Sequence, residues 1–445
     1  MNSIISTIKI ASMALVLFAA SDTAEVKRGD PLPRNGALGA QLQPDPAGGV
    51  RIVRVLPGLT AESLKLQDGD ILASLNDTKI ASVADVQGFM RTNKAGKELK
   101  VIVKRGEKEV SASGKILPRP FQKAEGMNVR YDQVLSNGKR IRVIVTSPKT
   151  AGPHPTVFVI GGIGAYSLDG DFASIGYGNI LEPIAKAGYA IVRIDKPGQG
   201  DSEGPAYTDL GFNAELDAYI QALRLSKTLP EVDKDRIAIF GHSMGGTFGP
   251  LVAAEEKVKG VAAAATLYRS WIEYVLENSR RQMTLSGNSA GAIDEQMRRL
   301  TALNHYLYNE DLSPADIAKK SAIMKETVEA EIPDGKTYSG VGIPFFRELS
   351  KKNLGEAWMK SDCQVLALWG EAEFISGLTD HQMIVDAVNR VRPGTAELKT
   401  LPNSDHGFSN VKDAQESAAK WGTGQAPFNP SVIDALLDWL NRKIK

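Results

Sequence analysis

From residue 126 onwards, short apolar runs alternate with amphipathic stretches of helical spacing. Thr156-Val157-Phe158-Val159-Ile160, Ala190-Ile191-Val192-Arg193-Ile194, Arg236-Ile237-Ala238-Ile239-Phe240 and Val365-Leu366-Ala367-Leu368-Trp369 read as buried strands. A strand covered on both faces is apolar at consecutive positions, and strands alternating with helices predict a parallel sheet with helices on each side. Met127 to Val145 holds two strand-like runs about Ser136-Asn137-Gly138, the signal of an antiparallel hairpin that starts the sheet. Ala396 to Leu401 reads as a last strand, and Ile433, Leu436, Leu437, Leu440 and Ile444 mark a final amphipathic helix.

Two regions break this rhythm. Roughly residues 270–358 carry helical spacing at Trp271, Ile272, Val275 and Leu276, then a charged stretch through Met297, Leu300, Tyr306 and Tyr308. Ser409 to Asn429 is polar and reads as a loop, and His154 reads as part of a proline-rich turn. The first third of the chain is different again, with the alternating Val50-Arg51-Ile52-Val53-Arg54-Val55 and a helix-like Val83 to Arg91. Pro118-Arg119-Pro120 reads as a linker, which gives a smaller unit over residues 34–117 and a larger one over 126–445. The 445 residues, 42% hydrophobic and 24% charged, are enough for both.

Composition narrows the chemistry. A net charge of +1 provides no field for steering nucleic acid or anionic lipid. With Cys363 as the single cysteine, an internal disulfide and a multi-cysteine metal site are both excluded, and no metal or cofactor is expected. Cys363 starts a core strand and reads as buried. Lys9 precedes the apolar run Ile10 to Ala20, which is too short to span a bilayer and is followed by the small residues Ser21 and Ala24. Residues 1–24 therefore read as a cleaved signal peptide, and the chain as periplasmic or secreted without a stable membrane span.

Gly241-His242-Ser243-Met244-Gly245 lies between the strand-like Arg236 to Phe240 and the small-residue stretch Gly246 to Ala254. A serine at a strand-to-helix turn this tight needs neighbours without a Cβ, which makes Ser243 a candidate nucleophile. A hydroxyl attacks only when a base takes its proton, and the chain has five histidines. His406 stands in the loop after the last strand and is the candidate base. The Val365 to Gly370 strand delivers Glu371, Glu373 and, further on, Asp380. Glu373 is the preferred orienting acid, Asp380 the alternative and Glu371 a solvated charge. The N–H of Met244 is one candidate donor to a developing oxyanion.

The order Ser243, Glu373, His406 resembles that of the α/β-hydrolase family. Gly161-Gly162-Ile163-Gly164 resembles the family's H-G-x-G oxyanion loop, with Gly161 in place of the histidine, and makes the Ile163 N–H the second donor. Asp195-Lys196-Pro197-Gly198-Gln199-Gly200-Asp201-Ser202 is similar to the family's D-x-x-G-x-G-x-S segment. The resemblance implies an α/β-hydrolase fold whose 270–358 insertion, between the sixth and seventh core strands, forms a helical cap over the serine. Ala37-Leu38-Gly39-Ala40, Pro57 to Glu62 and Leu66 to Ile71 resemble a PDZ domain of the bacterial protease-associated type. In such domains the loop matching Leu38-Gly39 captures peptide C-termini. The implied function is a serine hydrolase of small-molecule carboxylic esters or thioesters. The alternatives are a serine peptidase or amidase, or a non-enzymatic peptide-binding protein on a relic fold. All the implied chemistry lies beyond the linker, so the PDZ-like unit is expected to regulate or target.

Overall fold

The computed structural model describes residues 26–46 and 48–445, so the signal-peptide reading lies outside the described residues. The larger sheet has eight strands. β1 (Met127–Ser136) and β2 (Lys139–Pro148) form the expected hairpin, with Asn137 and Gly138 at φ 47° and 72°, as a two-residue type I′ turn requires. β3 (His154–Ile160), β4 (Ala190–Ile194), β5 (Val232–His242), β6 (Gly260–Ala264), β7 (Gln364–Gly370) and β8 (Ala396–Leu401) follow. Across the sheet the order is β1-β2-β4-β3-β5-β6-β7-β8, antiparallel as far as β4 and parallel beyond it. His154 is thus the buried first residue of a strand and not part of a turn. The flanking Pro153 and Pro155 carry the turn signal, and a strand tolerates proline near its start.

Successive residues of a strand point to opposite faces, which explains the continuous apolar runs. Phe158 and Ile160 join Ile239, Phe212, Phe248 and Trp358 on one face. Val157 and Val159 join Phe240, Leu436 and Trp439 on the other. Between β6 and β7 run the helices Trp271–Leu285, Ala290–Asn304, Ala322–Glu331, Ile343–Ser350 and Leu354–Lys360. A capping box between Ser270 and Glu273 starts the first of them. The last packs on the helices Met244–Glu255 and Leu378–Val391, and none of its residues lines the cavity at the serine. Segment 409–429 is not wholly loop, because Asp413 caps a helix at Ala414–Lys420.

The N-terminal domain has its own core around Val50, Ile52, Leu72, Val101 and Val103. Its sheet runs Ala40–Pro44, Val50–Val55, Ile71–Leu75, Glu98–Arg105, Lys108–Lys115 in spatial order, with Thr78–Lys79 alongside Ile71–Leu75. The helix Val83–Thr92 starts at a Ser82–Asp85 capping box. Chain arriving at this domain crosses the larger one first, since the Leu135 N–H donates to the Lys27 carbonyl. Chain leaving it pairs with chain arriving: Gly36 bridges Pro118, and the Arg119 N–H donates to the Asn35 carbonyl.

A buried polar clasp joins the two domains. The Arg34 guanidinium contacts Asp169 and Asp201 and lies 4.8 Å from the centroids of both Phe121 and Tyr131. Asp201 also takes the Asn35 N–H at 2.7 Å and Arg142 Nε at 3.1 Å. Asp195 completes the clasp by accepting the Asp201 N–H at 2.9 Å and the Ser167 hydroxyl. Burial and the nearby Asp169 push the Asp195 carboxyl up to about 6. Among the described residues no helix is long and apolar enough to cross a membrane.

Candidate active site

Ser243 stands between the end of β5 and the helix Met244–Glu255 with φ 55° and ψ −123°, a conformation that a side-chain-bearing residue rarely adopts. The surroundings enforce it. A Cβ on Gly241 would stand 2.3 Å from the Gly245 carbonyl oxygen, and one on Gly245 would stand 1.9 Å from that of Ile160. Glycine at both positions is therefore a steric requirement of the turn.

His406, in the loop after β8, brings Nε2 to 3.0 Å from Ser243 Oγ. Its Nδ1 lies 2.9 Å from Glu373 Oε2, and Glu373 Oε1 accepts the N–H groups of Ile375 and Ser376 at 2.6 and 3.0 Å. Burial alone would push the Glu373 carboxyl up, but His406 and those two N–H groups hold it below its ordinary value. Asp380 lies elsewhere. It is paired to Arg269 at 2.6 Å, takes the Tyr268 and Arg269 N–H groups, and does not touch His406. Glu371 is exposed, and Cys363 is buried just before β7, its thiol pushed up to about 11 by burial.

The Gly161–Gly164 loop faces the serine, and a Cβ on Gly162 would lie 3.2 Å from Ser243 Cβ. Three tyrosines and a lysine hold this loop. The Gly162 N–H donates to Tyr177 at 2.9 Å and the Gly164 N–H to Tyr207 at 2.8 Å. The Gly162 carbonyl accepts from Tyr166 at 2.8 Å and from Lys196 Nζ at 2.6 Å. Among the described residues, no protein acceptor engages the Ile163 N–H that remains. The Met244 N–H is equally unclaimed, being first in its helix, where the dipole favours negative charge.

Lys196 and His242 belong to the site but were not legible as such in the sequence. Lys196 is buried and paired with Glu215 at 3.1 Å; burial lowers its pKa and Glu215 opposes that shift. His242 Nε2 donates to the His406 carbonyl at 2.7 Å, and Nδ1 accepts from Tyr177 at 2.8 Å. Burial and the neighbouring His406 push the His242 pKa down to about 3, so this ring stays neutral and, through Tyr177, joins the Gly161–Gly164 loop to the His406 loop. A lysine before a proline, or a histidine inside the elbow, carries no local sequence signal for these contacts.

A cavity of about 880 Å³ opens above Ser243, lined by the Gly162-Ile163 loop, the Trp271–Leu285 helix and the chain around Trp421 and Phe428. In the smaller domain, the Leu38 and Gly39 carbonyls accept the Ala61 and Leu56 N–H groups at 2.7 and 2.8 Å. Among the described residues no protein acceptor takes the Leu38 or Gly39 N–H, and the strand Ala40–Pro44 has a free outer edge.

Comparison with known proteins agrees with this architecture. A PDZ domain model matches residues 36–116 and an alpha/beta hydrolase family model matches residues 164–420. The chain is 28% identical over 199 residues to esterase EstD of Thermotoga maritima, a match covering 40% of this chain and 46% of that protein. It is 30% identical over 168 residues to the uncharacterized peptidase YtmA of Bacillus subtilis, covering 37% and 59%. The chain thus spans about half the length of the curated relatives it matches. Among solved structures, the Pyrococcus furiosus esterase PF2001 aligns with a TM-score of 0.45 at 14% identity, covering 73% of this chain and 97% of that one. With its eight-stranded sheet and the family match over residues 164–420, the chain belongs to the alpha/beta hydrolase family and carries an N-terminal PDZ domain.

Proposed function

We propose that the protein is a serine hydrolase that cleaves carboxylic esters, or the related thioesters, through an acyl-enzyme on Ser243. The observation that carries this reading is the continuous set of contacts from Ser243 Oγ through His406 to Glu373 beneath an open cavity. His406 Nε2 takes the hydroxyl proton as Oγ attacks the ester carbonyl, and Glu373 holds the imidazole tautomer and stabilises the imidazolium. The Ile163 and Met244 N–H groups receive the oxyanion. His406 then gives the proton to the departing alcohol oxygen, and a water activated by the same imidazole releases the acid. Fluorophosphonate labelling should mark Ser243 in the wild type and fail in Ser243→Ala. The variant should lose roughly 10⁴-fold or more in kcat on an activated ester. Unchanged turnover by Ser243→Ala rejects the assignment.

A peptidase or amidase is the second reading, favoured by the name of the Bacillus subtilis relative and by the accompanying PDZ domain. Aminoacyl and peptidyl anilides assayed beside matched esters separate the two. The PDZ domain is proposed to take peptide C-termini at the Leu38-Gly39 loop, supported by its unclaimed N–H groups and the free strand edge. An N-terminal export signal and a periplasmic or secreted location remain proposals that cell fractionation tests.

A further inference from the structure

The wall of the cavity above Ser243 contains no Asp, Glu, Lys or Arg among the described residues. Charged groups close behind the wall are already matched. Lys196 pairs with Glu215, Arg269 with Asp380, and Arg281 with Glu277 and the carbonyls of Ile375 and Ser376. The wall is instead rich in rings. Trp271 stacks on Phe346 with centroids 4.4 Å apart and planes 14° apart, which fixes the faces of both rings, and Tyr274 lies 5.5 Å from Trp271. The Trp421 ring stands edge-on, 5.8 Å from the His406 ring. The polar groups of the wall include neutral amides, among them Asn278 and Gln282.

We propose that this pocket selects uncharged esters whose acyl half carries a ring-sized apolar group, and that it rejects substrates bearing a free carboxylate or ammonium near the scissile bond. The inference rests on the serine-hydrolase reading and gives it a substrate class. An ion entering the cavity gives up hydration and meets no counter-charge, whereas an apolar ring gains contact with fixed aromatic faces. A volume of about 880 Å³ holds such a group together with a leaving alcohol. The same absence of charge counts against an exopeptidase, which must hold a terminal ammonium or carboxylate beside the bond it cuts.

The test compares 4-nitrophenyl esters on the full chain. The heptanoate and the mono-adipate differ little in length, but the second ends in a carboxylate; the acetate and the 3-phenylpropanoate differ by a benzyl group. The expected kcat/KM is ~100-fold higher for heptanoate than for the adipate half-ester, because the carboxylate is desolvated without a partner. It is ~10-fold or more higher for phenylpropanoate than for acetate. Gln282→Lys, which sets an ammonium in the wall, should raise the adipate to heptanoate ratio ~10-fold. If the wild type shows near-equal rates on the heptanoate and adipate, or no preference for the ring, the substrate class is overturned while labelling at Ser243 keeps the hydrolase reading. A ratio that Gln282→Lys does not move overturns it too. If fluorophosphonate does not label Ser243, the hydrolase reading falls and takes this inference with it.

Discussion

Lys196 donates to the Gly162 carbonyl, which shares a peptide unit with the Ile163 N–H. A cation on the carbonyl end of a peptide both fixes its plane and makes its N–H a stronger donor, since hydrogen bonds in series polarise one another. Lys196→Met should therefore lower kcat on activated esters by about 10- to 100-fold with little change in KM, the pattern expected when an oxyanion donor is weakened. The single variant also strands the buried Glu215, so Lys196→Met/Glu215→Gln should recover melting temperature but not kcat. At the acid, Glu373→Gln should cost up to ~10⁴-fold in kcat. Asp380→Asn should act chiefly on stability through Arg269, and steady-state rates beside thermal melts distinguish the two. The glycines of the elbow were readable because both stand two residues from Ser243 in a short motif, although the carbonyl that requires Gly245 belongs to Ile160 on another strand. Lys196 was not, because the Gly162 carbonyl and Glu215 reach it from distant segments.

At the scale of elements, the strands and the hairpin were plain in the sequence because a doubly covered sheet imprints unbroken apolar runs. The helix Ala414–Lys420 escaped because it buries only Ser417, so no apolar stripe marks it. It nevertheless steadies the His406 loop. Ser417 Oγ donates to Asp405 Oδ2 at 3.0 Å, and Asp405 Oδ1 accepts the Gly407 and Ser409 N–H groups at 2.9 and 2.7 Å. Asp413→Ala removes the cap of this helix and should cost about 1 kcal/mol of stability. It should also raise KM for bulky esters by loosening Trp421, which follows the helix. Denaturant melts together with KM values across the ester series check both effects. The insertion was legible as a break in rhythm, but the packing of Leu354–Lys360 depends on contacts with the helices Met244–Glu255 and Leu378–Val391 that sequence spacing does not encode.

For the whole molecule, His242 ties folding to pH. Its folded pKa of about 3 lies below the ordinary 6.5, so between these values the unfolded chain binds the extra proton. Stability contributed by the neutral ring is complete above pH 6.5 and falls as pH drops towards 3, by up to roughly 1 kcal/mol per pH unit. His242→Gln, which cannot take that proton, should flatten the pH dependence of urea midpoints over this range. The domain clasp was also beyond sequence reading, for Arg34, Asp169 and Asp201 lie far apart along the chain and meet only in the folded protein. It changes what a deletion means. A chain beginning near Pro120 discards Arg34, Asn35 and Arg119, leaves Asp169 and Asp201 without the Arg34 guanidinium, and should melt earlier than the full protein.

The bridge between Gly36 and Pro118 sets arriving and departing chain side by side, so residues 37–117 hang from a closed neck. Paired residues of antiparallel strands stand roughly 5 Å apart at Cα, a gap that a two-residue Asn-Gly turn closes. Lifting the domain out across that neck keeps Arg34, Asn35 and Arg119 in the clasp. The shortened chain should keep small-ester turnover close to that of the full protein, and loss of that turnover would assign the PDZ domain a part in building the active site. What hangs there is then exchangeable: another domain with adjacent ends could be seated on the same neck, changing what the enzyme is tethered to without disturbing how Ser243 works.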